Sequence, residues 1–234
     1  MSASSERGGS RGRDHVGRTS QLRLDDDPRR WGPPSPPDRP GWPGRPAGPG
    51  EAGPGLEPWL AERLFDRRIV ILHGPVTGPS ATNAAAALLT LDALAVDPVQ
   101  LHMSTPDGEL DSVFAIVDAL DVMRAPVHAI AVAEVGGGAL GVYAAAPRRL
   151  AFPHARFRLA EPRVVGIAGT ADDVASAAGR HLRALEDLIL RVADATGQPR
   201  SRVEDDLGAG RPLSAEQARE YGLVHEIVAH PPRP

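Results

Sequence analysis

The sequence has 234 residues, a formal net charge of −4 from 26 Lys+Arg against 30 Asp+Glu, and no cysteine. Without Cys there is no disulfide framework, no Cys-ligated zinc or iron–sulfur centre and no thiol nucleophile. A mildly acidic balance also argues against a dedicated nucleic-acid binder, whose footprint is a basic face.

Gly (25) and Pro (24) make up about a fifth of the chain, against roughly 12% in an ordinary globular protein. The excess is unevenly placed. Residues 1–55 hold ten Pro and eleven Gly but only two Leu, one Val and no Ile or Phe. Such a stretch buries too little apolar surface to offset its ordering entropy, so it is expected to be a solvated, disordered arm. Its nine Arg against seven acidic residues give too small an excess for a nucleic-acid tail. Arg7, Arg11 and Arg13 lead into further polar sequence, so no cleavable export signal is expected and the cytoplasm is the default compartment. The longest weakly apolar stretch, Gly136 to Ala146, is about half the ~20 residues of a spanning helix, so no membrane contact is expected.

Residues 56–230 read as one α/β domain followed by a short tail, 231–234. Short β-branched runs alternate with helical patterns. Strands are predicted at Arg68 to Leu72, Val99 to Met103, Val127 to Val132, Arg149 to Phe152, Arg156 to Leu159 and Val224 to Val228. Helices are predicted at Ser80 to Ala95, Glu109 to Met123, Gly136 to Ala146, Ala171 to Ala195 and Ala215 to Tyr221. Thr170 with Asp173, and Ser214 with Gln217, have capping-box spacing. In the longest helix Val174, Ala178, Leu182, Leu185, Ile189 and Val192 form one apolar stripe. About 25 residues make a rod near 37 Å, long enough to project for oligomer contact.

The segments RRIVILHGPV, STPDGELDSVFAIVDALDVMRAPVHAIAV, FPHARFRLAEP, DATGQPRSRVEDDL and LSAEQAREYGLVHEIV occur in this order. In these segments the chain resembles the ClpP family, the proteolytic subunits of the ATP-dependent Clp proteases. The resemblance implies a ClpP/crotonase-like fold of stacked ββα units with a long protruding handle helix. It further implies heptameric rings of this chain or of ClpP paralogues, and a Clp ATPase unfoldase as partner.

The family hydrolyses peptides with a Ser/His/Asp triad, in which nucleophile, base and orienting carboxylate share one hydrogen-bonded array. The resemblance places the nucleophile at Gly137, the base at Ala160 and the acid at Gly210. Each side chain is missing, so the expectation is a ring subunit that has lost catalysis and acts structurally or as a regulator. The oxyanion-binding stretch corresponds to Asp107, Gly108 and Gly138, and a carboxylate at Asp107 opposes the negative charge such a site stabilises. The aromatic residues that help receive unfoldase loops correspond to Gln100 and His102, which removes much of the apolar area on which docking depends.

Two other readings use different residues. A relocated serine nucleophile would draw on Ser104, Ser112 or Ser176 with His102, His128, His154 or His181; Ser104 and His102 are two apart on one strand and share a face. A crotonase-type acyl-CoA enzyme or binder would use the Gly136–Gly137–Gly138 helix start to present N–H groups to a thioester carbonyl. The eight His are scattered without ligand spacing, so no metal and no cofactor is expected.

Overall fold

The apolar run Ile-Val-Ile-Leu opens the first strand of a mostly parallel sheet, in a computed structural model that describes residues 57–163 and 169–228. The predicted arm, the tail 231–234 and residues 164–168 lie outside the described residues. In chain order the elements begin with α1 (Pro58–Asp66), β1 (Ile69–His73), α2 (Gly78–Leu94), β2 (Val99–Thr105), α3 (Leu110–Val122), β3 (Val127–Gly136) and α4 (Ala139–Ala145). They continue with β4 (Arg148–Ala151), β5 (Arg156–Leu159), α5 (Ala171–Thr196), α6 (Arg200–Ala209), β6 (Arg211–Ser214), α7 (Ala215–Tyr221) and β7 (Glu226–Ile227).

The sheet runs β1-β2-β3-β4-β7, with every neighbouring pair parallel. Strand β3 serves two partners in succession: His128 to Ala131 pair with β4, whereas Glu134 to Gly136 pair with β5. Strand β5 then pairs antiparallel with β6, setting Leu159 opposite Arg211. A register irregularity between Met103 and Thr105 ends the regular pairing of β2 with β3. The far end of β3 therefore lies between the turn after β2 and the start of β5.

One sheet face is apolar and covered. Val70, Leu72, Leu101, Met103, Ala129 and Ala131 are buried there with the core residues Leu88 of α2, Ile116 of α3 and Leu140 of α4. The alternate positions Ile71, His73 and Gln100 stay exposed and His102 half-buried, as the period of two requires.

Several boundaries differ from the sequence-based expectation. β3 continues four residues past Val132 to Gly136, and the helix predicted from Gly136 begins only at Ala139. The strand predicted over Val224 to Val228 is confined to Glu226–Ile227. α1 and β6 are not among the predicted elements, and of α6 the sequence marks only the VEDDL stretch as helical; α1 buries none of its residues, and α6 buries only Val203 and Leu207. Both capping boxes form, with Asp173 N–H donating to Thr170 Oγ1 and Gln217 N–H to Ser214 Oγ.

α5 buries Leu188, Ile189, Val192 and Ala193 against the core, but nothing between Ala171 and Asp187. Val174 and Leu182 are 43% and 64% exposed. Close approach fixes where the helix crosses α4: a Cβ on Gly141 would meet Leu188 Cδ1 at 3.0 Å.

The ends of three helices meet on one cation. Arg149, 5% exposed, donates to the carbonyls of Ala146 beyond α4, Ala195 in the last turn of α5 and Leu223 beyond α7. Among the described residues no carboxylate is a hydrogen-bond partner of Arg149; partial negative charge at helix C-termini takes that place.

Candidate functional site

The site grows from the turn Thr105–Pro106–Asp107–Gly108, held from two directions. Val76 bridges to Gly108, donating its N–H to Asp107 O (3.0 Å) while its carbonyl accepts from Glu109 N–H (2.9 Å). From β5, the Arg158 guanidinium donates to Pro106 O at 3.2 Å and to Glu134 Oε1 at 3.3 Å. Asp107 is thus fixed at the end of β2, facing the end of β3.

There Gly136, the last residue of β3, and Gly137 and Gly138 before α4 meet it. Asp107 Oδ1 accepts from its neighbour Gly108 N–H at 2.8 Å and from Gly138 N–H at 3.2 Å. Gly137 has φ +52°, and a Cβ built on it would collide with Asp107 Oδ1 and lie 2.8 Å from Asp107 Cγ. A Cβ on Gly136 would stand 2.8 Å from Pro106 O, and one on Gly138 would collide with Gly108 O. Close approach of backbone carbonyls requires glycine at 136 and 138, whereas at 137 the neighbour is the Asp107 side chain and the left-handed φ adds its own preference for glycine.

The backbone brings the other two positions close. Gly137 N–H donates to Arg158 O at 3.2 Å, which sets it beside the end of β5, and Ala160 follows two residues later. Leu159 pairs with Arg211, and Glu161 N–H donates to Leu207 O at 3.2 Å, so Ala160 lies against the turn at Gly210. Gly210 itself takes a left-handed conformation, φ +68°, as the C-cap of α6. Beneath this arrangement the rings of Tyr143 and Phe157 pack tilted at 5.3 Å, joining α4 to β5.

The geometry has a clear chemical consequence. Gly137, Ala160 and Gly210 converge without one nucleophilic or titratable side chain among them. The two N–H groups that converge beside Gly137 already hold a carboxylate. Sequence reasoning put Asp107 next to these donors as a source of repulsion; the structure shows its carboxylate accepting from both. The Arg158–Glu134 pair, which frames the same turn, was not singled out from the sequence, where it carries no local signal.

The remaining candidates sit elsewhere. Gln100 and His102 are neighbours on the open face of β2, with Gln100 Oε1 and His102 Nε2 3.1 Å apart. Desolvation holds the His102 imidazole below its usual pKa. Ser104 shares that face but has no hydrogen bond to a histidine among the described residues, and Ser112 Oγ donates to Glu109 Oε2 instead. Ser176 is on the exposed half of α5 and His154 in the turn before β5. Among the described residues no histidine accepts a proton from a serine, and no group of three His, Asp or Glu converges as a metal shell. The Gly138 N–H that an acyl-CoA reading needs is the one Asp107 occupies.

Residues 58–231 match the family model for Clp protease. The chain is 32% identical over 167 residues to the ATP-dependent Clp protease proteolytic subunit 3 of Rhizobium etli, covering 70% of this chain and 86% of that protein. It is 34% identical over 184 residues to the ATP-dependent Clp protease proteolytic subunit 1 of Frankia casuarinae, covering 76% and 85%. With the parallel sheet, the long α5 and a match over most of its length, this chain belongs to the Clp protease family.

Proposed function

We propose that this chain is a Clp-type ring subunit without peptidase activity, assembling with itself or with catalytic ClpP paralogues and serving a structural or regulatory role. The observation that carries the reading is the Asp107 carboxylate seated on the N–H groups of Gly108 and Gly138. Hydrolysis by this family's chemistry needs a nucleophile, a base and a vacant pair of donors for the developing oxyanion. Gly137, Ala160 and Gly210 supply none of the first kind, and the donors are taken.

In this reading residues 1–55 are an arm on a domain spanning 56–230, and the compartment is the cytoplasm. The relatives' names make them proteolytic subunits of an ATP-dependent protease. The exposed half of α5 supports assembly, since an amphipathic helix whose apolar side chains stand in solvent gains by pairing. Docking of a Clp ATPase through the polar pair Gln100 and His102 is not expected.

The test combines chemistry and association. Pure protein should show no labelling by a fluorophosphonate and no turnover of a small fluorogenic peptide, assayed beside an active relative. Tagged full-length chain should bring down a catalytic ClpP paralogue identifiable by mass spectrometry. Labelling or turnover near the rate of the active relative would refute the reading.

A further inference from the structure

We propose that Asp107 and Gly137 are an interlocked pair: the carboxylate is a tethered anion that permanently closes the former reaction site, and the bare Cα of Gly137 is what makes room for it. The proposal deepens the inactive-subunit reading and rests on it for the site's identity. Its physical content stands on three observations. A side chain at position 137 and the Asp107 carboxylate claim the same space, because the Gly137 Cβ position lies within collision distance of Oδ1 and 2.8 Å from Cγ. Two N–H donors on separate elements, Gly108 and Gly138, converge on that one oxygen. The turn that carries Asp107 is clamped by Val76 and Arg158, so the contact is relieved only by rotating the Asp107 side chain, which gives up its two N–H partners.

The pair accordingly does structural work. Gly108 and Gly138 are buried, and a buried N–H left without an acceptor costs more than its hydrogen bond contributes when made. In a working hydrolase such donors face solvent or substrate. Here an internal carboxylate ties the turn after β2 to the start of α4 and keeps both satisfied in every state of the subunit. Neither position is free to change alone: a side chain at 137 strikes the carboxylate, and loss of the carboxylate strands the donors.

A double-mutant cycle tests the interlock on full-length protein, using thermal unfolding of wild type, D107A, G137A and D107A/G137A. The left-handed strain of Ala at 137 is common to both backgrounds and cancels. With Asp107 replaced by Ala, the closest remaining atom to the new Cβ is the residue-107 Cα at 3.3 Å. The loss of melting temperature caused by G137A should therefore be at least about twofold smaller in the D107A background. If G137A yields no folded protein, recovery of folded D107A/G137A supports the interlock, and failure of both refutes it. Equal losses in both backgrounds also refute it.

Amide hydrogen exchange gives a second readout. Exchange at Gly108 and Gly138 should accelerate about tenfold or more in D107A, as expected on losing a charge-assisted acceptor, and should stay near wild type in D107N, which retains Oδ1. Unchanged exchange in D107A overturns the proposal. The two readings fail separately: fluorophosphonate labelling of wild type would remove the inactive-subunit reading and leave the cycle intact, whereas an additive cycle would remove the interlock and leave an inert wild type.

Discussion

The carboxylate of Asp107 occupies the space that any side chain on Gly137 would need, although thirty residues separate the two positions. Pro106, Asp107 and Gly108 set the turn after β2, and Gly136, Gly137 and Gly138 the turn before α4. Each of the three glycines of the second turn is pressed by a backbone or carboxylate atom of the first. A side chain at position 137 therefore calls for a change on the other side of the contact as well.

Rebuilding the triad alone should leave the site closed. The variant G137S/A160H/G210D, with Asp107 in place, is expected to fold poorly and to remain unlabelled by a fluorophosphonate. Adding D107G removes the carboxylate from the two donors, and labelling should then be detectable by intact mass. Asp at position 210 enters a left-handed conformation, where Asp and Asn are the least penalised side chains after Gly. Labelling of the variant that retains Asp107 would contradict the closure.

The buried Arg149 should be a principal determinant of stability. It satisfies carbonyls at the C-terminal ends of three helices, and Met in its place fills similar volume but leaves those carbonyls without donors. R149M should lose about 3 kcal/mol or more in urea unfolding, and R149K should recover part of that, since a single ammonium reaches fewer of the acceptors. A loss for R149M under about 1 kcal/mol would show that water or rearranged backbone satisfies the helix ends instead.

Acid should weaken the fold through two histidines. Desolvation first, then the charges of Arg149 and Arg148, hold His225 below its usual pKa, and desolvation does the same at His102. Each group then binds more protons unfolded than folded. Their contribution is fully present above the ordinary histidine pKa of about 6.5 and is lost as pH falls toward the lower folded values. Glu226, on the same edge, is paired with Arg148 at 2.6 Å. Unfolding free energy should decline between about pH 7 and 5, with a shallower slope in H225Q and H102Q. Equal slopes in wild type and both variants would assign the acid sensitivity to other groups.

What could be read from the sequence divides along physical lines. Strand β1 announces itself by an apolar, β-branched run, β2 and β5 by alternation of apolar and polar residues, and α5 and α7 by capping boxes whose partners are three residues apart. Local chemistry of this kind survives folding. The bounds of α6 escaped because its sequence RSRVEDDLGA offers only Val203 and Leu207 to the core, and α1 escaped because it buries nothing. The continuation of β3 through Glu134 is a tertiary effect, imposed when β5 arrives to pair with it. Arg68 is another case: its backbone sits at φ +57°, which nothing local requires, and its guanidinium bonds the carbonyls of Leu91, Ala95 and Asp97 at the end of α2. At the candidate site the residue types at Gly137, Ala160 and Gly210 are legible in the sequence alone, and their assignment to a triad belongs to the proposal. The seating of Asp107 on Gly108 and Gly138 is not legible there, because it depends on a contact between two turns.

The exposed half of α5 should report on assembly separately from folding. Between Ala171 and Asp187 nothing is buried within the subunit, yet Val174 and Leu182 lie on one stripe with Ala178 and Leu185. L182E changes a side chain that is 64% exposed, so the isolated subunit should keep its stability to within about 0.5 kcal/mol. If the stripe meets a second helix in a ring assembly, a charge there is desolvated without a partner, and association suffers far more than folding. Light scattering after size exclusion should show a lower mass for L182E than for wild type at equal concentration, with unchanged circular dichroism. Equal masses for the two proteins would remove this half of α5 from the assembly surface.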